Sequence, residues 1–252
     1  MADAQPGEDC VLGESCNLEH ELVTVQLVDG AGRGVFAQRD IESGTELWSE
    51  TPLSFAPSRD ALVHKVDGML WRHASLCRKR FAATKGEGIV ASNYFDQGVL
   101  GAYLFEQTSL LNHACCPNAS VRFVRSETRA SECRLRTVVA RHLERGEQVC
   151  ISYSSTALFL PTDARRQLLH DRWGFWCHCE RCVGTLPAGE QERWAMLEEA
   201  AAAADALGKP RPATVDPAVV ALQTRAAELV ASWLPALAEG ERFAEDAAYL
   251  TG

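Results

Sequence analysis

Three cysteines in the hexapeptide "CHCERC" constrain the fold of this chain more than any other feature of its sequence. Cys177, Cys179 and Cys182 form a C-x-C-x2-C pattern, and thiols spaced this closely can converge on one tetrahedral ion through a tight turn. Because a structural zinc site has four protein ligands, one more side chain must come from elsewhere in the chain. The dense spacing favours structural zinc over a set of buried reduced thiols, which is the simpler alternative.

The fourth ligand is expected from the stretch "LLNHACCPNASVRF", residues 110–123. His178 is nearer in sequence, but it stands between two of the cysteines, where its side chain would point away from their common ion. We therefore predict that Cys115, and not the adjacent Cys116, completes the site. The remaining cysteines are predicted to be ordinary packing or tail residues: Cys10, Cys16, Cys77, Cys133 and Cys150. His20 is a remote alternative ligand.

Composition places the chain among globular, intracellular proteins. Of its 252 residues 46% are hydrophobic and 23% are charged, which is enough apolar material for a sizeable core. The chain has no run of eighteen apolar residues, and its first ten residues lack the features of a secretory signal, so we expect a cytoplasmic or nuclear protein. The net charge of −9 argues against direct nucleic-acid binding and is compatible with a basic peptide partner.

Alternating apolar residues predict that the first two thirds of the chain are mainly β. A β-meander is expected from Glu21 to Phe55, and "SVRFV", "CRLRTVVA" and "EQVCISY" predict three later strands, with "ERGE" as a turn. Apolar residues at helical spacing between 57 and 90 predict a helical insert that ends before a loop at "TKGEG". Residues 99–111 are expected to form a short helix or turn.

The last third of the chain is predicted to be helical. The segment "TDARRQLLHDRWGF" indicates a helix with Thr162 or Asp163 as its N-cap, and it leads directly into the cysteine cluster. From Glu190 onward the chain is rich in alanine, leucine and glutamate, broken by "GKPRPATVDP" and "AEG". This composition predicts two helices and a short third.

Four ordered motifs resemble those of the SET-domain protein lysine methyltransferases, and most of all the branch that combines SET and MYND domains. They are "GRGVFAQRDIESGTEL" at 32–47, "NHACCPNAS" at 112–120, "GEQVCISY" at 146–153 and "WGFWCHCERC" at 173–182. The resemblance covers about residues 21–183. It implies the β-clip fold of small sheets, mainly β with α, with a helical insert, a zinc-bound post-SET segment and C-terminal helices.

The resemblance also implies a domain organisation and an activity. We expect a flexible tail over 1–20, a SET domain over 21–168 with its insert at about 57–90, a post-SET zinc segment over 169–186 and a helical region over 187–252. The implied reaction is methyl transfer from S-adenosylmethionine to a lysine of a histone or another protein. The implied cofactors are S-adenosylmethionine and one structural zinc ion, and the expected state is a monomer without membrane contact.

The family's motifs assign roles to particular residues. By resemblance, Tyr153 is the catalytic tyrosine, with its hydroxyl near the transferring methyl, although a strand-end tyrosine that anchors the core is the alternative. Trp173 would line the lysine channel. The residues implied to bind the cofactor are Arg33, Gly34, Asn93, Asn112, His113 and Phe175; an Asx-turn role for Asn112 and a core role for Phe175 are the alternatives.

The sequence departs from that branch in three places. The insert contains only Cys77, His64 and His73 as potential zinc ligands, too few for the two-zinc MYND module, so we expect that module to be absent. Ala114 replaces a usual serine, and Trp173 replaces a frequent tyrosine. These departures motivate two alternatives to an enzyme: a catalytically silent SET module that binds or scaffolds proteins, and a zinc-stabilised interaction domain unrelated to methyl transfer.

Overall fold

The computed structural model describes residues 20–28, 31–69, 82–126 and 132–207. Predictions for Cys10, Cys16, His73 and Cys77, and for helices beyond residue 207, lie outside the described residues. Within the described ranges the strands are β1 (Val23–Val28), β2 (Gly32–Ala37), β3 (Glu46–Glu50), β4 (Ser54–Ala56), β5 (Tyr94–Asp96), β6 (Ala102–Leu104), β7 (Asn112–His113), β8 (Ala119–Val124), β9 (Arg134–Val139) and β10 (Gln148–Ile151). The helices are α1 (Arg59–Asp67), α2 (Lys85–Asn93), α3 (Thr162–Trp173), α4 (Glu180–Val183) and α5 (Ala188–Leu207).

The described residues confirm a fold of small β-sheets with a helical insert. One sheet has the strand order β1-β2-β10-β7, a second β3-β9-β8 and a third β4-β6-β5. All pairings are antiparallel except that of β10 with β7, which is parallel and sets Cys150 opposite Asn112 and Ile151 opposite His113. The short strand β7 thereby fixes the position of the central Asn-His pair.

Two predictions about the strands are wrong. The stretch from Glu21 to Phe55 is not a continuous meander, because β3 pairs with β9 and β4 pairs with β6. Residues 102–104 form a strand, although short 3-10 helices at Gly98–Leu100 and Thr108–Leu110 agree with the rest of the short helix or turn predicted over 99–111. The alternation of side chains predicts where strands occur but not which strands pair, and a strand of three residues is too short to show alternation.

The insert contains two helices with defined N-caps. The Ser58 hydroxyl accepts a hydrogen bond from the Ala61 amide, and the Thr84 hydroxyl accepts one from the Glu87 amide. Helix α2 therefore begins within "TKGEG", so the predicted loop there is wrong. The side chain of Asp67, at the end of α1, accepts hydrogen bonds from the Thr84 hydroxyl and the Gly86 amide and so joins the two helices.

Helices α3 and α5 agree with predicted helical segments, whereas the one-turn helix α4 within the cysteine cluster was not predicted. Helix α3 begins at Thr162 itself, so the N-cap position precedes Thr162 and Asp163. Helix α5 is long, at 20 residues. None of the helices among the described residues combines the length and apolar character needed to span a membrane.

The described residues divide into two compact units. One consists of the residues up to Tyr153 together with Leu169–Cys177, and the other of Ser154–Leu168 and the residues from His178 onward. The first unit contains the three sheets. Its main core is formed by buried apolar side chains from β1, β2, β3, β9 and β10 with their adjoining turns, including Val23, Val35, Leu47, Val139 and Val149.

Candidate active site and metal-binding cysteines

Four aromatic or imidazole rings from separate parts of the sequence meet in one cluster, which we call the aromatic cluster: His113, Tyr153, Trp173 and Phe175. The centroid of the Tyr153 ring lies 5.3 Å from that of His113, 5.6 Å from that of Trp173 and 6.3 Å from that of Phe175. The His113 and Phe175 centroids are 6.0 Å apart. Tyr153 is thus in contact range of all three of its partners, and Trp173 and Phe175 are both partly exposed.

The hydrogen bonds of His113 define its protonation pattern. Its Nδ1 accepts a hydrogen bond of 3.0 Å from the Tyr153 amide, so in the neutral ring the hydrogen resides on Nε2. That Nε2 lies 3.2 Å from the sulfur of Cys115 and is the donor of this pair. Both ring nitrogens therefore have protein partners.

Tyr153 follows β10 and is anchored by its own hydroxyl. The hydroxyl donates a hydrogen bond of 2.9 Å to the carbonyl oxygen of Leu111, one residue before β7. The ring also packs against the main core of the first unit. Its position is compatible with both a catalytic role and the alternative of an anchoring tyrosine, so its catalytic assignment stays a prediction.

The side chain of Asn112 connects β7 to β2. Its Nδ2 donates a hydrogen bond of 2.8 Å to the carbonyl oxygen of Arg33 in β2, an arrangement different from an Asx turn. A Cβ added at Gly34 would lie 2.3 Å from Gln148 Nε2, 2.8 Å from Val28 Cγ2 and 3.1 Å from Asn112 Nδ2. A larger residue at position 34 would therefore require the side chains of Gln148 and Val28 to move, with or without a cofactor.

The second asparagine of the motif, Asn118, binds the edge of β10. Its Oδ1 accepts a 2.7 Å hydrogen bond from the Cys150 amide, and its Nδ2 donates 2.8 Å and 3.2 Å hydrogen bonds to the Gln148 carbonyl and the Glu147 carboxylate. Burial opposes ionisation of Glu147, but hydrogen bonds from Arg141 and Asn118 outweigh it and lower the pKa of Glu147. Asn118 therefore shapes the turn between β7 and β8.

A buried acid fixes the turn that leads into the central motif. The Glu50 carboxylate accepts hydrogen bonds from the Gln107 amide, the Thr108 amide and the Thr108 hydroxyl. The Trp48 indole also donates to that hydroxyl, at 3.1 Å. Burial raises the pKa of Glu50, because the loss of solvation exceeds the opposing effect of these hydrogen bonds.

Asn93 is the last residue of α2 and is buried. Its Nδ2 donates a hydrogen bond of 2.8 Å to the carbonyl oxygen of Ile89 within the same helix. Its predicted role at the amino-acid end of the cofactor stays a prediction.

The sulfurs of Cys115, Cys177, Cys179 and Cys182 all lie within 4.8 Å of one another. A zinc ion bound tetrahedrally at about 2.3 Å from each sulfur would give sulfur separations of roughly 3.8 Å. The sulfurs of Cys115 and Cys177 are 3.8 Å apart. The donor set and its spacing therefore fit zinc.

Other sulfur and imidazole groups described by the structure lie outside this cluster. Cys116 is half-buried and His178 is exposed, and neither belongs to the four-sulfur group. Cys133 is buried in a small core beside Tyr103 and Phe105. The His20 ring contacts the Trp48 ring edge to face, with centroids 6.2 Å apart.

Several residues that position the site are not evident from the sequence. Glu50 and Gln148 gave no signal, since a glutamate at a strand end and a glutamine in a strand are common on exposed surfaces. The Leu111 carbonyl is a backbone group, which no residue pattern can identify. Arg181 stands between two of the cysteines, and this position in the sequence does indicate a place beside the metal site.

Comparison with known proteins finds similarity to SET-domain proteins. The family model described as "SET domain" matches residues 32–154. The Saccharomyces cerevisiae protein described as potential protein lysine methyltransferase SET6 is 37% identical over 102 residues, which are 40% of this chain and 24% of that protein. The chicken (Gallus gallus) N-lysine methyltransferase SMYD2 is 35% identical over 84 residues, 33% of this chain and 17% of that protein.

A plant protein similar to this chain is also described as a lysine methyltransferase. The Arabidopsis thaliana histone-lysine N-methyltransferase ATXR2 is 37% identical over 83 residues, 33% of this chain and 16% of that protein. The matched part of this chain thus spans about a quarter or less of the length of these relatives. Residues 32–154 of the chain thus match the SET domain model, and parts of the chain are similar to SET-domain protein lysine methyltransferases, including those of the SMYD branch.

Proposed function

We propose that this protein is an S-adenosylmethionine-dependent protein-lysine N-methyltransferase. The observation that supports this most directly is the aromatic cluster, in which Tyr153 contacts His113, Trp173 and Phe175 although these residues come from three separate segments. A cluster of rings around a tyrosine at the end of a SET-domain match suits a site that admits an alkyl amine and excludes water.

The cofactor is assigned to the region of β2 and β7. Arg33 and Gly34 would offer backbone groups, and Asn112, His113 and Asn93 would hold the polar parts, with Phe175 stacking on the adenine. The buried Nε2 of Gln148 has no hydrogen-bond partner among the described residues, which fits a ligand acceptor beside β2. When bound, S-adenosylmethionine supplies an electrophilic methyl group on its sulfonium.

The chain's own residues would prepare the substrate lysine. The amine can act as a nucleophile only when neutral, so its proton would pass to solvent before the transfer. Loss of solvation beside the partly buried rings of Trp173 and Tyr153 would lower the pKa of the bound amine and favour that loss. The Tyr153 hydroxyl, oriented by the Leu111 carbonyl, would lie beside the reacting atoms. The site then contributes alignment and desolvation, without a covalent intermediate on the enzyme.

The four-cysteine cluster is assigned to one structural zinc ion. Four thiolates leave no open coordination position for water, so the ion would stabilise the fold and take no part in the chemistry. The hydrogen bond from His113 to the Cys115 sulfur would connect this site to the aromatic cluster.

Labelled S-adenosylmethionine, incubated with the purified protein and a panel of histones and lysate proteins, tests the proposal. We expect label on lysine side chains, and loss of that label when the substrate lysines are acetylated beforehand. Bound cofactor with no labelled protein would contradict the proposed activity.

A catalytically silent SET module is the second candidate, favoured by Ala114 and Trp173 at positions where the family usually has serine and often tyrosine. Calorimetry distinguishes the two: an enzyme binds S-adenosylmethionine, whereas a silent scaffold has no need to. A protein that binds a lysine peptide but neither S-adenosylmethionine nor its demethylated product would favour the second candidate.

A further inference from the structure

Two buried arginines share one glutamate in the second compact unit. Arg165 Nη1 lies 3.0 Å and Arg181 Nη2 lies 2.8 Å from the same oxygen, Oε1 of Glu198. The side chains of Arg165 and Arg181 are 0% and 3% exposed, and that of Glu198 is 23% exposed. We call these three residues the Glu198 network.

Arg165 connects this network to a cysteine of the metal cluster. Its Nη2 donates to the sulfur of Cys182 at 3.7 Å and to the hydroxyl of Thr162 at 3.1 Å. Its Nη1 also donates to the Leu160 carbonyl at 2.6 Å. The planar guanidinium thus serves four acceptors at once, a geometry that lysine cannot reproduce.

Arg181 ties the network to helix α5. Its guanidinium carbon lies 3.9 Å from the centroid of the Trp194 ring, and its Nη2 donates to the Leu158 carbonyl at 2.7 Å. Trp194 and Glu198 are four residues apart in α5, so they lie on one face of this helix. Helix α5 therefore contributes both a ring and a carboxylate to the segment that contains Cys182.

The net charge of the Glu198 network explains why it lies beside thiolates. Two guanidiniums and one carboxylate leave a net charge of +1 in a buried place, which is costly unless another anion is near. Four thiolates with Zn²⁺ sum to a net charge of about −2. The hydrogen bond from Arg165 to one of these sulfurs brings the positive charge of the network beside the negative charge of the metal cluster, so each offsets the other. Residues outside the coordination shell have this role in metal sites generally.

We propose that Glu198 is a positioning residue for the metal site: it holds Arg165 against the Cys182 sulfur, so that docking of helix α5 and retention of zinc are coupled. This inference rests on the zinc assignment made under the proposed function. By thermodynamic linkage, whatever weakens the contact of Glu198 weakens zinc binding, and removal of zinc loosens α5.

The test uses the full chain and compares Glu198→Gln with Glu199→Gln, which removes the same charge from an exposed neighbour on the same helix. Zinc affinity is measured by competition with a chromogenic chelator. The thiolate charge-transfer band is measured with Co²⁺ in place of zinc. We expect Glu198→Gln to weaken zinc binding by about 10- to 100-fold and to shift the Co²⁺ band, with Glu199→Gln within about twofold of the wild type.

Arg165→Lys keeps the proposal testable if Glu198→Gln does not fold. Lysine retains the positive charge but lacks the planar guanidinium that serves four acceptors. We therefore expect zinc binding to weaken, as in Glu198→Gln. Wild-type zinc affinity in either folded variant would overturn the coupling. A wild-type protein without zinc would overturn the zinc assignment as well, whereas zinc effects without any methyl transfer would leave the coupling intact and contradict only the proposed activity.

Discussion

The aromatic cluster and the Glu198 network position functional atoms by different physical means. In the aromatic cluster, neutral rings pack around Tyr153, and the hydrogen bonds of His113 involve one amide and one sulfur. In the Glu198 network, full charges are buried against each other and against a sulfur. Packing without charge suits the proposed lysine site, which must desolvate an amine, whereas buried charge suits the proposed zinc site, which would carry a net negative charge.

Tyr153→Phe is expected to have the largest effect, because it removes one hydroxyl and leaves the ring packing in place. If that hydroxyl acts on the reacting atoms, kcat should fall by about 10²- to 10⁴-fold with little change in the dissociation constant of the cofactor. The measurement is single-turnover methyl transfer. Tyr103→Phe is the matched control, since its hydroxyl also donates to a carbonyl, that of Leu100, at 3.0 Å; equal rates in the two variants would favour the anchoring role of Tyr153.

Cys115→Ser should affect zinc more than any change in the Glu198 network. Removing one of four thiolates forfeits roughly a quarter of the binding free energy of a structural zinc site, a loss of about 10²- to 10³-fold in affinity. Cys116→Ser is the control, since Cys116 is adjacent in sequence but outside the four-sulfur cluster. Metal analysis after dialysis against a chelator gives the result; greater zinc loss from Cys116→Ser would mean that the assigned ligand is wrong.

Glu50→Gln tests a buried acid that accepts hydrogen bonds from amide and hydroxyl groups of the turn at 107–108, whereas Glu198 pairs with arginines. Its pKa is raised in the folded state, so the folded protein binds more protons and the contribution of this group to stability falls as pH rises from the unfolded pKa through the folded one. In Glu50→Gln that pH dependence should disappear. Denaturant unfolding of the wild type and of Glu50→Gln at pH 4 and pH 7 measures this pH dependence. If the two proteins differed in free energy of unfolding by the same amount at both pH values, the raised pKa of Glu50 would be contradicted.

Glu46→Gln should have the smallest effect, about 0–1 kcal/mol in the free energy of unfolding. Glu46 pairs with Arg136, but the two side chains are 35% and 44% exposed, so water screens their attraction. Denaturant unfolding in low and high salt checks the value. If Glu46→Gln lowered the free energy of unfolding as much as Glu198→Gln does, burial would not distinguish the exposed Glu46–Arg136 pair from the buried Glu198 network.

The candidate metal ligands show how far residue patterns reach. The spacing of Cys177, Cys179 and Cys182 is local, so the sequence alone indicates one ion bound through a tight turn. The choice of Cys115 over Cys116 agrees with the sulfur positions, since Cys115 and not Cys116 belongs to the four-sulfur group. The Glu198 network could not be predicted in the same way, because an arginine in "TDARRQLL" and a glutamate in an alanine-rich helix are typical of exposed helix faces.

The sequence by itself determined the mainly β character, the order of the four motifs, the resemblance to the SET-domain family and the cysteines that could share an ion. These are properties of local alternation, spacing and residue type. The tertiary structure decided that β3 pairs with β9, that the rings of His113, Tyr153, Trp173 and Phe175 meet, and that Glu198 lies between two arginines. Such contacts join segments distant along the chain, and their partners are selected by the packing of the whole fold rather than by any local pattern.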